Sequence, residues 1–291
     1  MRVVIAEAFD ASGLAVLEAR GVAVVSCVGS TRAALLGELR EADGLIVRSE
    51  TRVDRDLLAQ APRMRVIGRA GVGVDAIDVA AATESGIVVV NTPAANTIAA
   101  TEQTLALLLA LMRHVPEASR CVREGRWERA PFVGRELFGK TLGVVGLGRI
   151  GGAVSTRAIA FGMSVVAHDP FVPPARAQSL GVELQPLDAL LAQADIVTLH
   201  VPLTAQTRGM IDARALGLMK PGAVVINCAR GGIIDEDALL NALDRGALRA
   251  AGIDVVAQEP PAPQSAGARL HRHRNVLATP HLGGSTYEAL E

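Results

Sequence analysis

Arg230, Glu259 and His281 are the side chains of this sequence best suited to acid–base chemistry on an alcohol or a carbonyl. Arg230 follows the apolar run VVINCA, Glu259 follows GIDVVAQ, and His281 follows VLATP. If each run is a strand of one open parallel sheet, all three residues stand at carboxyl ends, where ligands bind. Residues 29 and 22 positions apart in sequence then converge beside one ligand. Hydride leaves a carbinol carbon only if the hydroxyl proton is also removed, and a histidine with an ordinary pKa of about 6.5 suits that task. A neighbouring carboxylate orients the ring and favours the imidazolium, which is the part expected of Glu259. An arginine grips a substrate carboxylate with two hydrogen bonds and polarises the adjacent carbonyl, which suits Arg230. Each residue has a plainer reading, as a core histidine, a surface ion pair or a loop carboxylate. The strand-end placement and the glycines after Arg230 and His281 favour the chemistry.

Such chemistry needs an electron acceptor, and TLGVVGLGRIG points to a dinucleotide. Gly146, Gly148 and Gly151 fall at G-x-G-x-x-G spacing after a short apolar run and where a helix should open. The first glycine permits the tight turn, the second lets backbone approach a diphosphate, and the third lets helix pack on strand. Unpaired N–H groups at the helix N-terminus then hold the anion. Asp169 ends the next strand, SVVAHD, where a carboxylate accepts hydrogen bonds from a ribose diol. The same carboxylate repels a 2′-phosphate, so NAD is expected over NADP.

The elements that position these residues alternate strand with helix, the signature of βαβ units. Expected strands in the first third are 3–7, 22–27, 45–48, 65–68 and 88–91, with helices over 11–19 and 32–41. A long helix is expected from Ile98 to about Ser119. A second series follows at 143–145, 164–168, 195–200, 223–227, 251–255 and 276–278. The fold class is therefore α/β, with two Rossmann-like, doubly wound parallel-sheet lobes, the first flavodoxin-like and the second binding NAD. The proline-rich stretch 258–267 and the basic patch 271–274 read as surface loop.

At 291 residues the chain suits two domains, and 50% hydrophobic against 20% charged residues excludes a disordered protein. A net charge of −1 without long single-sign runs argues against nucleic acid as a partner. The longest apolar run, 105–112, is too short to span a membrane. Cys27, Cys121 and Cys228 are widely spaced, which suggests reduced thiols and a cytoplasmic location. Cys228 reads as a packing residue, since no base is implied beside it. No metal is expected, because His271 and His273 lack carboxylate or thiol neighbours. His200 reads equally as a cofactor neighbour and as a structural strand end.

Taken together, GRAGVGVDAIDVAAATESGIVVVNTP, NTIAATEQTLALLLAL, GKTLGVVGLGRIG, NCARGGIIDEDAL, GIDVVAQEPP and TPHLGGST resemble the D-isomer-specific 2-hydroxyacid dehydrogenases. The resemblance covers nearly the whole chain. It implies a substrate-binding lobe over 1–97 with a C-terminal return over 283–291, and an NAD-binding lobe over 98–282. It implies that Arg230 binds substrate, Glu259 pairs with the base and His281 is the acid–base catalyst. Asp254 would hold the carboxamide side of the nicotinamide. Further NAD contacts are implied at Arg149, Ile150, Val201, Pro202, Cys228, Ala229, Arg230, His281 and Gly284. Arg48, Ser49, Arg69, Val72 and Gly73 would supply the opposing wall of the substrate site. Arg135 and WERAPF fall where the family builds an arm between lobes or subunits, and Ala130 and Pro131 stand where two basic residues are common.

The reaction this implies is NAD-dependent oxidation of a small-molecule 2-hydroxy acid. The expected one is 3-phospho-D-glycerate going to 3-phosphooxypyruvate in serine biosynthesis. Reduction of hydroxypyruvate or glyoxylate, or turnover of another D-2-hydroxy acid, is the alternative. An NAD-sensing, corepressor-like binding protein is the reading from another class, and the complete Arg230–Glu259–His281 set argues against it. A homodimer or higher homo-oligomer is implied, through the helix from Ile98 and the arm around Trp127. The family normally continues past the histidine motif, whereas this chain ends ten residues after His281. Either truncation or a less firmly tied N-terminal lobe is the reading of that difference, with weakened coupling between the lobes as the expectation.

Overall fold

The computed structural model describes residues 1–8 and 10–290. It divides into two compact units, Met1–Asn96 with Ser285–Glu291, and Thr97–Gly284. All the pairings among the twelve strands are parallel.

The first unit holds β1 (Arg2–Ile5), β2 (Ala23–Ser26), β3 (Gly44–Val47), β4 (Val66–Arg69) and β5 (Val88–Asn91), in the order β2-β1-β3-β4-β5. This is the flavodoxin-like order, and its switch point, where a crevice opens at the carboxyl ends, lies between β1 and β3. Val4, Leu45, Val47 and Ile67 bury the middle of the sheet against Leu39 and Leu57 from flanking helices. Helices Ala11–Ala19, Arg32–Leu39, Arg55–Ala59 and Val79–Glu84 each open on a side-chain cap, from Asp10, Thr31, Asp54 and Asp78. Such caps satisfy N–H groups that a helix start leaves unpaired, at about 1 kcal/mol each.

The second unit holds β6 (Thr141–Val145), β7 (Ser164–His168), β8 (Glu183–Leu184), β9 (Ile196–Leu199), β10 (Ala223–Asn227), β11 (Leu248–Ile253) and β12 (Val276–Ala278). Their order is β12-β11-β10-β9-β6-β7-β8, the dinucleotide-binding order extended by one strand, with its switch point between β6 and β9. Side chains alternate between two cores, as a period of two requires. Ile196, Val224, Ile226 and Ala250 face helices Thr97–Arg113 and Arg149–Ala160. Val197, Val225, Ala251 and Ile253 face helices Leu187–Gln193 and Glu236–Asp244 on the other side.

Three expectations are corrected. The long helix from Ile98 is two helices, Thr97–Arg113 and Val115–Arg123, broken at His114, whose φ is 55°. Pro116 is the cause. It has no N–H for the carbonyl of Met112, and its ring crowds that carbonyl, so the first helix cannot run on through it. The N–H of Arg135 takes that carbonyl instead, at 2.8 Å. The second sheet has seven strands and not six, the missed one being the two-residue β8 on its edge. The patch 271–274 is not all loop, because Ser265 caps a helix Ala266–Arg272 that buries Ala268 and Leu270. Elsewhere strand bounds shift by a few residues; Arg48 follows β3, and Arg69 ends β4.

Candidate active site

The carboxyl ends of β10, β11 and β12 bring three loops of the second unit together. Nδ1 of His281 lies 2.6 Å from Oε2 of Glu259, and the other carboxylate oxygen accepts the N–H of Val256 at 3.1 Å. Glu259 is thus fixed to its own loop at one oxygen and holds the imidazole with the other. That contact places the proton on Nδ1 and leaves Nε2 as the basic nitrogen. The hydrogen bond to Glu259 raises the His281 pKa above its usual 6.5, against the opposing effect of burial. Burial pushes the Glu259 carboxyl up, but the His281 hydrogen bond and charge outweigh it and leave the pKa lowered. The charge of Arg230 acts on both groups, lowering each pKa, so the three side chains share one electrostatic site.

Backbone approach makes that meeting possible. Asn227, at the end of β10, accepts the N–H of Ala229 through its side-chain oxygen and donates to the carbonyl of Arg230. This ties the loop into a turn that delivers Arg230. Gly231 then runs against the Val256–Ala257 backbone, so closely that a side chain there would collide with it. The N–H of Ala257 is held in turn by Glu236, at 2.6 Å.

Asp254, 2% exposed, organises the histidine loop. Its Oδ1 accepts the Thr279 hydroxyl at 2.5 Å and the N–H of Leu282 at 2.8 Å, and its Oδ2 accepts the N–H of Gly283 at 2.8 Å. The carbonyl of Asp254 takes the N–H of His281 at 2.9 Å. These bonds hold His281 at φ 55°, a left-handed conformation that costs a non-glycine residue about 1 kcal/mol or more. Gln103 donates to Thr279 at 3.0 Å and extends the network to the helix Thr97–Arg113.

The glycine loop has the form a diphosphate requires. Gly146 follows β6 with φ 95°, and a Cβ on it would lie 2.7 Å from the His200 carbonyl, across the β6/β9 switch point. A Cβ on Gly151 would lie 2.0 Å from the carbonyl oxygen of Gly146, so only glycine lets the helix come this close. Gly148 meets nothing within 4 Å and caps the helix Arg149–Ala160 without a side chain, leaving its N–H groups open. Asp169 follows β7 and accepts the N–H of Leu147 at 2.8 Å and of Phe171 at 2.9 Å, one on each oxygen. Each oxygen keeps a lone pair for a ribose hydroxyl. The residues present therefore fit a dinucleotide whose diphosphate rests on the glycine loop.

The other expected contacts of this unit sit on the same sheet edge. Val201 and Pro202 follow β9, the Pro202 carbonyl bonded by Thr207 at 2.6 Å. Arg149 and Ile150 open the helix, Cys228 and Ala229 precede Arg230, and Gly284 ends the unit. Burial pushes the Cys228 thiol up to about 12, which makes it a protonated packing group and no nucleophile. Burial likewise pushes His200 down to about 4, and its Nε2 lies 3.0 Å from the Thr198 hydroxyl, so it is a neutral ring of the sheet edge.

Arg48, Ser49, Arg69, Val72 and Gly73 belong to the first unit, at and beyond the carboxyl ends of the adjacent strands β3 and β4. Their loops are shaped by a residue the sequence reading missed. Glu7, after β1, accepts the N–H groups of Arg48 and Thr51 on Oε1 and of Ser49 and Glu50 on Oε2, all at 2.9–3.0 Å. Burial pushes its carboxyl up, but the N–H groups of Glu50, Thr51 and Arg48 prevail and lower its pKa. It fills the β1/β3 switch point. Only its position after the first strand could have signalled it. Asn91 donates to the Val72 carbonyl at 2.7 Å and holds the second loop.

Comparison with known proteins matches this arrangement. Residues 105–283 match the model of the D-isomer specific 2-hydroxyacid dehydrogenase, NAD binding domain. The chain is 47% identical over 290 residues to a D-3-phosphoglycerate dehydrogenase of Methanocaldococcus jannaschii, covering 99% of this chain and 54% of that protein. The chain spans about half the length of the curated relatives it matches. Among solved structures, a protein from Thermus thermophilus superposes with a TM-score of 0.90 at 40% identity, covering 100% of this chain and 92% of that one. A D-lactate dehydrogenase from Aquifex aeolicus, complexed with NAD and lactic acid, has a TM-score of 0.89 at 28% identity, covering 100% and 91%.

Proposed function

The chain belongs to the D-isomer-specific 2-hydroxyacid dehydrogenase family, and we propose that its own reaction is the NAD-dependent oxidation of 3-phospho-D-glycerate to 3-phosphooxypyruvate. The observation that carries this reading is the His281–Glu259 pair, 2.6 Å apart and under the charge of Arg230, on the sheet edge that also bears the glycine loop. The curated relatives named as D-3-phosphoglycerate dehydrogenases support the choice of substrate.

Arg230 binds the substrate carboxylate and polarises the oxygen on the neighbouring carbon. His281 takes the hydroxyl proton at Nε2, while Glu259 stabilises the imidazolium that forms. A bound nicotinamide supplies the acceptor for the electron pair leaving the carbinol carbon. Asp169 accepts the adenosine ribose hydroxyls, and its charge disfavours a 2′-phosphate, so NAD is the coenzyme. Gly146, Gly148 and Gly151 with the N–H groups from Arg149 and Ile150 hold the diphosphate. Val201, Pro202, Cys228, Ala229, Asp254 and Gly284 complete the coenzyme surface. Arg48, Ser49, Arg69, Val72 and Gly73 are the candidate substrate-binding residues of the first unit.

Self-association belongs to the same reading. Trp127, Val133 and Phe138, exposed by 77%, 79% and 75%, are the apolar side chains of this segment that a second copy would cover. A cytoplasmic location accords with the free thiols of Cys27, Cys121 and Cys228.

The test is the initial rate of NADH formation with 3-phospho-D-glycerate, beside D-glycerate and D-lactate. A kcat/KM at least tenfold higher for the phosphorylated acid is expected. Preference for either unphosphorylated acid would overturn the substrate assignment.

A further inference from the structure

The amino-terminal end of the seven-stranded sheet holds a pocket of about 100 Å³ that the proposed reaction does not use. It is walled by the amino ends of the central strands, with Lys140 before β6, Asp195 before β9, Lys220 and Pro221 before β10, and Arg249 at the start of β11. Arg135 closes it from the segment beyond Met112. Four cations and one carboxylate therefore face a single space.

The one carboxylate is already engaged. Asp195 accepts the N–H of Thr141 at 2.8 Å on one oxygen and the Lys220 ammonium at 3.1 Å on the other. Among the described residues no carboxylate lies within ion-pair distance of Arg135, Lys140 or Arg249. Arg249 is the most constrained of the three. Its Nε is buried without an acceptor, and its Nη2 reaches only the Met112 sulfur, at 2.8 Å, a weak acceptor. Burial, and the like charge of Arg135, both lower its pKa. Cations here could serve merely to complement the carbonyl ends of the helices that run into these strands. Such attraction needs no direct bond, and among the described residues none of the three side chains donates to a carbonyl, which leaves their donors open to a ligand.

We propose that this pocket binds a small oxyanion carrying at least two negative charges, of the phosphate class. Such a ligand neutralises the repulsion between Arg135 and Arg249, and it meets three donors that can each form a charge-assisted bond. The pocket lies at the end of the sheet remote from the His281 site, so the two sites bind independently of a shared side chain. Acting on β6, β9, β10 and β11 together, the ligand stabilises the sheet whose other ends carry the glycine loop and Arg230.

Inorganic phosphate is the probe, titrated into the full chain at constant ionic strength with chloride as the compensating ion. Saturating NADH is present, to keep phosphate from the coenzyme site. Binding is read by calorimetry and by the thermal midpoint. Phosphate, and not chloride, should raise the midpoint, and Arg249→Gln should weaken binding about tenfold, the effect of one lost charge-assisted bond. Lys140→Gln, on the rim, should weaken it several-fold and serves if the first variant does not fold. Arg230→Gln, at the far end, should bind phosphate as the parent does. No phosphate effect beyond that of chloride overturns the proposal. So does phosphate affinity that survives in whichever pocket variant folds, or that is lost on substituting Arg230.

Discussion

A Cβ placed on Gly231 would lie 1.9 Å from the carbonyl oxygen of Val256, so the loop carrying Arg230 and the loop carrying Glu259 meet backbone to backbone. The spacing of the arginine from the His–Glu pair is set by that contact. Gly231→Ala must push the loops apart, and a displacement near 1 Å at a reacting centre costs about a hundredfold in rate. We expect kcat/KM for the hydroxy acid to fall by about that factor while NADH still binds. Overpacking should also cost about 1–3 kcal/mol in a denaturant titration. Near-parental kinetics would show that the two loops need not touch.

Glu259→Gln tests the coupling in the pair. Glu259 raises the His281 pKa, so its removal lowers it. Oxidation needs neutral His281, and its rate falls as the ring is protonated. The acid limb of the oxidation profile should therefore move to lower pH in the variant, along with a reduced plateau. The pair's stability contribution has the matching sign. The raised His281 pKa gives stability that is full below 6.5 and lost as pH rises through the raised value. The lowered Glu259 pKa gives stability present above 4.5 and lost as pH falls through the lowered value. The pair is strongest between those limits, and Glu259→Gln should cost most stability there. An acid limb that stays in place would separate Glu259 from the titration.

Glu7→Gln should act on the hydroxy acid alone. A glutamine keeps one accepting oxygen, so two of the four N–H groups of the 48–51 loop lose their partner, at about 1–3 kcal/mol for the loop. KM for the hydroxy acid is expected to rise about tenfold, with kcat within threefold and KM for NAD unchanged. A rise in both Michaelis constants would point to general unfolding instead of a displaced loop.

Asp169→Asn removes the charge proposed to face the ribose. Hydrogen bonds to a charged group contribute about 1.5–3 kcal/mol, so KM for NAD should rise about tenfold or more. KM for NADP should change less, since the repulsion of a 2′-phosphate is relieved together with the lost bonds. Equal loss for both coenzymes would mean that this carboxylate does not discriminate between them.

The elements that sequence exposed best are those set by local rules. Gly146 and Gly151 are required by backbone geometry that no other residue tolerates, so their spacing, after an apolar run and with Asp169 in register, located the loop. The strands 88–91, 164–168, 223–227 and 276–278 fall where the apolar runs put them, because mainly apolar runs bounded by turns leave little choice. The helix break at His114 was local too, written in Pro116, but the apolar stripe on both sides of it masked the signal. Glu7 and Thr279 were not legible. Their partners lie 41 and 25 positions away, and nothing near them in the chain distinguishes them from solvated polar residues. Neither was the pocket at the amino-terminal end of the sheet, since Arg135, Lys140, Lys220 and Arg249 come together only through the strand order.

His281→Asn is the most direct measurement, made as single-turnover oxidation of 3-phospho-D-glycerate beside a fluorescence titration of NADH. Loss of a positioned general base costs about 10²–10⁴-fold in rate. The account predicts a loss in that range with NADH affinity within threefold of the parent. Turnover that survives in this variant at full NADH affinity would contradict the assignment of the proton to this imidazole.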